Sequence, residues 1–388
     1  MPILEAPAPS RLRAKNAALD AWFTRCPNAS PFSIALHLGW IDAEFADDDG
    51  VTFRALQTSR DPKVHHAHYA HNIPNLFRHG GNYPATWAQA NGADTRVIGL
   101  SWKYQSNLIL ALPDSPVKTA ADLKGKRLHL VRRPKEDIDF GYATALRTYE
   151  VALASAGLSL GDAEFVVHNI DRSLVGDRVQ PGNPDYVSFN QNPGGSRGAE
   201  NIWGLLNREA DVIVGGHELV QVLGLHVVFD SQTIPVGDQG NNATPDTFAV
   251  NAGLIEEHPD FVARVYARSL QAIDWARNNP VEALRFVAKE QGRSEILASR
   301  VFGGNFLASL ELNLDPGRIE ILRSVKAFLL RHGIIPRDFD LDAWIDPRPL
   351  AAARAIVEER RRTPRYQAEI APGAFRLPVA AAGAACRA

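Results

Sequence analysis

Residues 107–128 read NLILALPDSPVKTAADLKGKRL, and the fold is decided there. Leu108 to Leu112 is an apolar run of strand length, and Pro113, Asp114, Ser115 and Pro116 turn the chain. A short helix then leads to Gly125, and a second strand opens at Arg127 and Leu128. The alternation continues downstream: the spacing predicts a helix over 142–157 ending at Gly157, and a strand at Glu164–Val167. A helix carrying Ile202 to Asn207 and a strand from Asp211 to Val214 follow. Upstream, strands at Val51–Leu56 and Arg96–Leu100 flank a helical stretch at 84–92. Pro31 to Trp40 has helical spacing, with Pro31 suited to a first turn and Gly39 to a C-cap. The run 12–24 carries Ala21, Trp22 and Phe23 and is expected to end as a strand pointing at Cys26. From Pro259 onward the chain reads as helix, with Pro259 and Pro280 as first-turn residues and Phe261, Val265, Leu270 and Ile273 on one apolar face. Strands spaced by helices of this size imply a parallel or mixed α/β sheet covered on both faces. Residues 171–200, rich in Gly, Pro and Asn, are expected to form a long loop, and 362–388 a wrapping tail that becomes disordered.

The 388 residues carry 45% hydrophobic and 22% charged side chains, enough for a sizeable core. A net charge of −2 offers no footprint for nucleic acid and no polybasic patch for a membrane. No apolar run reaches the length of a bilayer span. The opening segment lacks a charged region followed by an apolar one, so a cytoplasmic protein is expected. The two cysteines, Cys26 and Cys386, provide no disulfide framework. Methionine occurs once, at Met1. Such scarcity of sulfur suits a protein made under sulfur starvation, and equally a drift of composition toward Ala, Arg and Gly.

Cys26 lies in the turn-like stretch Thr24-Arg25-Cys26-Pro27-Asn28-Ala29. Taken alone, it reads as a small buried core residue or as a reactive thiol. His65, His68 and His71, spaced by three, would share a helical face as metal ligands do, but no carboxylate-rich partner or second Cys follows at a suitable spacing. The expectation is therefore no metal.

The stretch 107–128 resembles the crossover signature of periplasmic-type substrate-binding folds of the sulfonate, nitrate and taurine class. That resemblance implies a two-lobed α/β fold of the type II periplasmic-binding-protein kind, with mixed sheets covered by helices and a ligand cleft between the lobes. Residues 1–106 and 229–388 would make one lobe, which carries Cys26, His68 and Arg78. Residues 107–228, returning near Val227–Asp230, would make the other.

Two local segments are similar to the 2'-hydroxybiphenyl-2-sulfinate desulfinase family on this scaffold. One is Cys26 followed by Pro27. The other runs from Ala67 to Gly81, with Pro74 six positions after His68 and Arg78-His79-Gly80-Gly81 beginning ten after it. The resemblance implies a cofactor-independent hydrolase that cleaves the carbon–sulfur bond of an aromatic or related sulfinate, releases sulfite and serves sulfur scavenging. It implies Cys26, His68 and Arg78 as the catalytic residues and a small anionic substrate as the partner. A monomer without nucleic-acid or membrane partners is expected.

In such a site, a helix following Cys26 would lower its pKa, and His68 and Arg78 would add positive potential. Arg78 would offer two donors to the sulfinate oxygens, and Gly80 and Gly81 would bring a backbone N–H to them. His68 would orient Cys26 or exchange a proton with it. Two routes stay open: thiolate attack on sulfur, or protonation of the ring carbon by the thiol. Neither needs a metal or an organic cofactor. His71, Ile73, Trp102, Tyr104 and His217 are the further substrate-binding candidates. Arg132 and Arg133 read as surface charge. His71 and Ile73 stand where the family has tyrosine and glutamine, and Gly215-Gly216-His217-Glu218-Leu219 replaces a tryptophan-rich segment. A smaller or more polar sulfinate is therefore expected. A non-catalytic anion-binding protein and a decarboxylase on the same scaffold are the competing functions.

Overall fold

The computed structural model describes residues 19–373 except 49, 60 and 172–201. The start of the run 12–24, nearly all of the expected loop 171–200, the tail beyond residue 373 and Cys386 lie outside the described residues.

Six strands form the larger sheet: β1 (Leu19–Thr24), β2 (Val51–Ala55), β3 (Leu76–Gly80) and β4 (Thr95–Ser101), joined by two from later in the chain. The next strands are β5 (Leu108–Ala111), β6 (Arg127–Arg132), β7 (Glu164–Asn169), β8 (Ile213–Gly215) and β9 (His226–Asp230). The chain then returns to the first sheet with β10 (Asp246–Asn251) and β11 (Leu312–Asn313). The large sheet has the order β11-β4-β10-β3-β1-β2. Strand β1 runs parallel to β2 and β3, while β10 is antiparallel to β3 and β4. The stretch 107–128 begins a second, smaller assembly in which β5 lies between β8 and β9, both antiparallel to it. Strands β6 and β7 pair in parallel, and a bridge from Leu128 to Val212 ties them to the chain entering β8.

Each assembly has its own core. Phe23, Phe32, Phe77, Phe248, Phe261 and Trp275 pack together on the large sheet. Leu128, Tyr149 and Phe229 belong to a second cluster, which also takes Val325, Phe328 and Leu329 from the helix Pro316–Arg331. That late helix therefore packs against both parts. The helix Phe140–Ser155 covers β6, where the Tyr149 hydroxyl donates to the His129 carbonyl at 3.0 Å.

Most helix boundaries fall within two residues of their sequence positions. Gly39, with a left-handed φ of +69°, ends the helix Pro31–His37 as expected, and a second short helix, Trp40–Phe45, starts directly after it. The left-handed turn that closes the helix is one that glycine takes without strain. Pro259 and Pro280 open the helices Pro259–Asn278 and Pro280–Gln291. No helix among the described residues is long and apolar enough to cross a membrane.

Candidate active site

The register of the large sheet assembles the site. Thr24 pairs with Arg78 across the parallel strands β1 and β3, so Cys26 and Gly80, each two residues further on, emerge side by side. Thr247 pairs with Gly80 on the other flank, which brings Asp246, the first residue of β10, to the same end of the sheet. Two strand ends and one strand start thus converge where α/β folds hold ligands. The cavity there measures about 350 Å³ and is lined by Cys26, Asn28, His68, Arg78, Gly81, Lys103, Asp246 and Arg293, among others. A second cavity of about 370 Å³ borders it, sharing Gln105, Phe140 and Asn242, and reaches His129, Arg133 and Glu218 of the smaller assembly. The two parts of the molecule touch across this cleft. Tyr69 stacks near Phe140 with ring centroids 6.2 Å apart, His66 bonds Asp137, and Arg293 stands 4.0 Å from Glu218.

Arg78 is 2% exposed, and its guanidinium is fully oriented. Nε donates to the His68 carbonyl at 3.2 Å, Nη1 to the Gly81 carbonyl at 2.8 Å, and Nη2 to the Cys26 sulfur at 3.8 Å. Among the described residues it makes no ion pair with a carboxylate. Nη1 and Nη2 thus reach Gly81 and Cys26, which line the cavity with Arg78. The cation is thereby held beside the thiol for an anion to meet.

The Cys26 pKa is not lowered as expected from the sequence. The next helix begins at Pro31 with Ser30 as its cap, so no helix N-terminus lies at Cys26. The residue is half-buried at the cavity wall, and burial, the largest influence on its thiol, pushes its pKa up. Arg78 and the Gly81 N–H pull it back, while Asp246 and Glu290 add to the rise. Cys26 is therefore a protonated thiol at neutral pH.

His68 adds no positive charge either. Burial, with Arg78 and His71 nearby, holds its pKa well below the ordinary imidazole value, so the ring is neutral. Its Nδ1 pairs with the Thr24 hydroxyl. The helix Pro62–Ala70 places it, and His71 caps that helix with a left-handed φ of 50°. His65 Nε2 meanwhile reaches the Ser59 carbonyl at 2.7 Å, so the three histidines do not converge. Among the described residues no group of three or more His, Cys, Asp or Glu is placed to hold a metal ion.

Of the sequence candidates, Cys26, His68, Arg78 and Gly81 meet at one cavity, with Gly80 packed directly against Cys26. His71 and Ile73 instead line a separate hollow with Trp87 and Asn251. Trp102 is buried with its indole N–H unpaired among the described residues, and the Tyr104 backbone N–H donates to the Ser309 hydroxyl oxygen; neither lines the cleft cavities. His217 opens the helix His217–Leu223, but its neighbours Gly215, Gly216 and Glu218 line the second cavity in its place. Arg132 lies over the Tyr142 ring at 4.1 Å on the surface, whereas Arg133 is buried and lines that cavity.

The sequence reading missed the buried pair beside the thiol. Lys103, between the two aromatics it singled out, donates to the Ala29 carbonyl, to Ser101 Oγ at 3.0 Å and to the Ser309 carbonyl at 3.1 Å, and lies 3.5 Å from Asp246. Asn28 Nδ2 donates to Asp246 Oδ2 at 2.7 Å. Asn28 stands in the quoted cysteine stretch, and Lys103 follows a buried strand; both were visible, but their partner is more than 140 positions away.

No family model matches the chain. It is 24% identical over 345 residues to 2'-hydroxybiphenyl-2-sulfinate desulfinase of Rhodococcus erythropolis, an alignment spanning 84% of this chain and 91% of that one. Among solved structures it is similar to a cysteine-to-serine mutant of the enzyme DSZB in complex with biphenyl-2-sulfinic acid. There the TM-score is 0.64 at 21% identity, covering 87% of this chain and 99% of the other. It is also similar to the periplasmic aliphatic sulphonate binding protein SsuA from Escherichia coli, with a TM-score of 0.58 at 16% identity over 83% and 90% of the two chains. The chain therefore resembles the desulfinase along most of its length and has the two-lobed α/β fold of that enzyme and of the sulfonate-binding proteins.

Proposed function

We propose that the protein is a desulfinase that cleaves the carbon–sulfur bond of an aromatic or related sulfinate and releases sulfite, as part of sulfur scavenging. The observation that carries this reading is the buried Cys26 thiol with the Arg78 Nη2 at 3.8 Å, in a cleft cavity that both line. A cation fixed beside a neutral thiol suits an anionic substrate that must receive a proton. The raised pKa of Cys26 favours the route in which the thiol, not a thiolate, reacts.

In this reading Arg78 holds the sulfinate oxygens, the thiol protonates the ring carbon bearing sulfur, and sulfur departs as sulfur dioxide, which water converts to bisulfite. His68, neutral and tied to Thr24, keeps its helix and the Arg78 side chain in place and presents an uncharged wall to the ring. The likeness to a desulfinase mutant holding biphenyl-2-sulfinic acid supports the same substrate class.

The likeness to sulfonate-binding proteins favours a second reading, anion binding without catalysis. Sulfite release over a panel of aryl sulfinates separates the two. The desulfinase reading expects turnover by the wild type and a loss of at least about 100-fold in Cys26→Ser with binding kept. Tight binding of sulfonates and sulfinates without any sulfite would leave the binding protein.

A further inference from the structure

If Cys26 gives up its proton in each turnover, a buried thiolate must regain one, and Arg78 and neutral His68 carry none to spare. Asp246 lines the same cavity, is 1% exposed, and has Oδ1 without a hydrogen-bond partner among the described residues. Its Oδ2 is fixed by Asn28 at 2.7 Å, and the Asn28 N–H in turn donates to the Cys26 carbonyl at 2.7 Å. Asn28 thus ties the Asp246 carboxylate to the turn that carries the thiol, and Gly80, packed against Cys26, pairs with Thr247 beside Asp246. An orphaned carboxylate oxygen in a buried site is costly unless something there uses it.

We propose that Asp246 is the proton carrier that resets Cys26 after each turnover. The role rests on the desulfinase reading above. In the first step the Cys26 S–H bond breaks, its proton bonds to the ring carbon, and the carbon–sulfur bonding pair returns to the ring. Sulfur dioxide and the thiolate remain. Asp246 Oδ1 then takes a proton from the water that adds to sulfur dioxide, giving bisulfite and a neutral carboxyl. That carboxyl passes the proton to the thiolate. The sum is sulfinate plus water giving arene plus bisulfite, with Cys26 and Asp246 both restored.

Two features suit Asp246 to this work. Burial raises its pKa, against the pull of Lys103, Asn28 and Arg78, so its protonated form is favoured over that of an exposed aspartate. Lys103, 2% exposed, is bound to carbonyls and to Ser101 on its other sides and compensates the carboxylate from the cavity wall.

The test is rapid-quench measurement of sulfite with an aryl sulfinate in Asp246→Asn and wild type. The variant is expected to release its first equivalent of sulfite within a few-fold of the wild-type rate. Its steady-state turnover should then fall about 100-fold, and formate should restore it in proportion to concentration. Wild-type turnover in the variant, or an equal loss in both phases without rescue, overturns the proposal. A time-resolved infrared measurement on the wild type does not depend on the variant folding. A buried carboxylic-acid band must rise and decay during turnover and shift in Asp246→Glu, and its absence also overturns the proposal. A wild type that releases no sulfite from any sulfinate instead removes the desulfinase reading itself.

Discussion

A Cβ placed on Gly80 would overlap the sulfur of Cys26 and stand 3.1 Å from its Cβ. Gly80 is thus not chosen for a left-handed turn, since it ends the extended strand β3; it is chosen for space. Gly80→Ala should drive the thiol out of its place beside Arg78. We expect sulfite release to drop by at least about 100-fold while the melting temperature moves by only a few degrees. Unchanged turnover in Gly80→Ala would mean that the seated position of the sulfur does not matter.

The protonated state of Cys26 is open to direct measurement. Alkylation by iodoacetamide needs the thiolate, so it should be slow at neutral pH and rise about tenfold per pH unit beyond the range of ordinary thiols. Arg78→Gln removes the charge that lowers the thiol pKa and should shift this profile upward. Asp246→Asn removes a charge that raises it and should shift the profile downward. Fast alkylation at pH 6 in the wild type would contradict the buried thiol.

How much of this was legible beforehand follows from the range of each interaction. The strand, turn and short helix of 107–128 are local, and turn residues and periodicity sufficed to read them. The order of the large sheet is not local: β10 enters between β3 and β4 from about 150 residues away, and no pattern in β4 announces it. Cys26, His68 and Arg78 were found by resemblance, which carries long-range geometry that spacing cannot. His71 and Ile73 show the limit of that transfer, because the left-handed turn at His71 sends the chain toward another hollow. The thiol pKa was misjudged because it depends first on burial and then on Arg78, Asp246 and Glu290, all set by the fold, the last two more than 200 positions away.

Lys103 and Asp246 form a buried pair, and removing one side should cost more than removing both. Lys103→Met leaves a carboxylate without its cation and frees the Ala29 and Ser309 carbonyls. A loss of about 3–5 kcal/mol is expected from such a broken pair. Adding Asp246→Asn should recover part of it, and a double-mutant cycle from urea unfolding measures the coupling. Additive losses would show that the two charges do not act as a pair.

Away from the cleft, Glu44 gathers three arginines from two other helices. Its carboxylate accepts from Arg264 Nε at 2.9 Å, Arg268 Nε at 2.5 Å and Arg360 Nη2 at 2.5 Å, with its side chain 5% exposed. Burial alone would raise its pKa, but the hydrogen bonds of Arg360 and Arg264 and the charge of Arg268 outweigh burial and hold it below its ordinary value of 4.5. The folded value is thus the lower of the two, so the stabilisation is fully present above the unfolded value. It is lost as pH falls through the folded one. Glu44→Gln keeps the shape and removes the charge, which should cost about 3 kcal/mol at pH 7. In denaturant unfolding the gap between variant and wild type should hold from pH 7 down to about 5 and close on further acidification. A gap that stays constant into the acid range would mean that the ionised carboxylate contributes nothing beyond its hydrogen bonds.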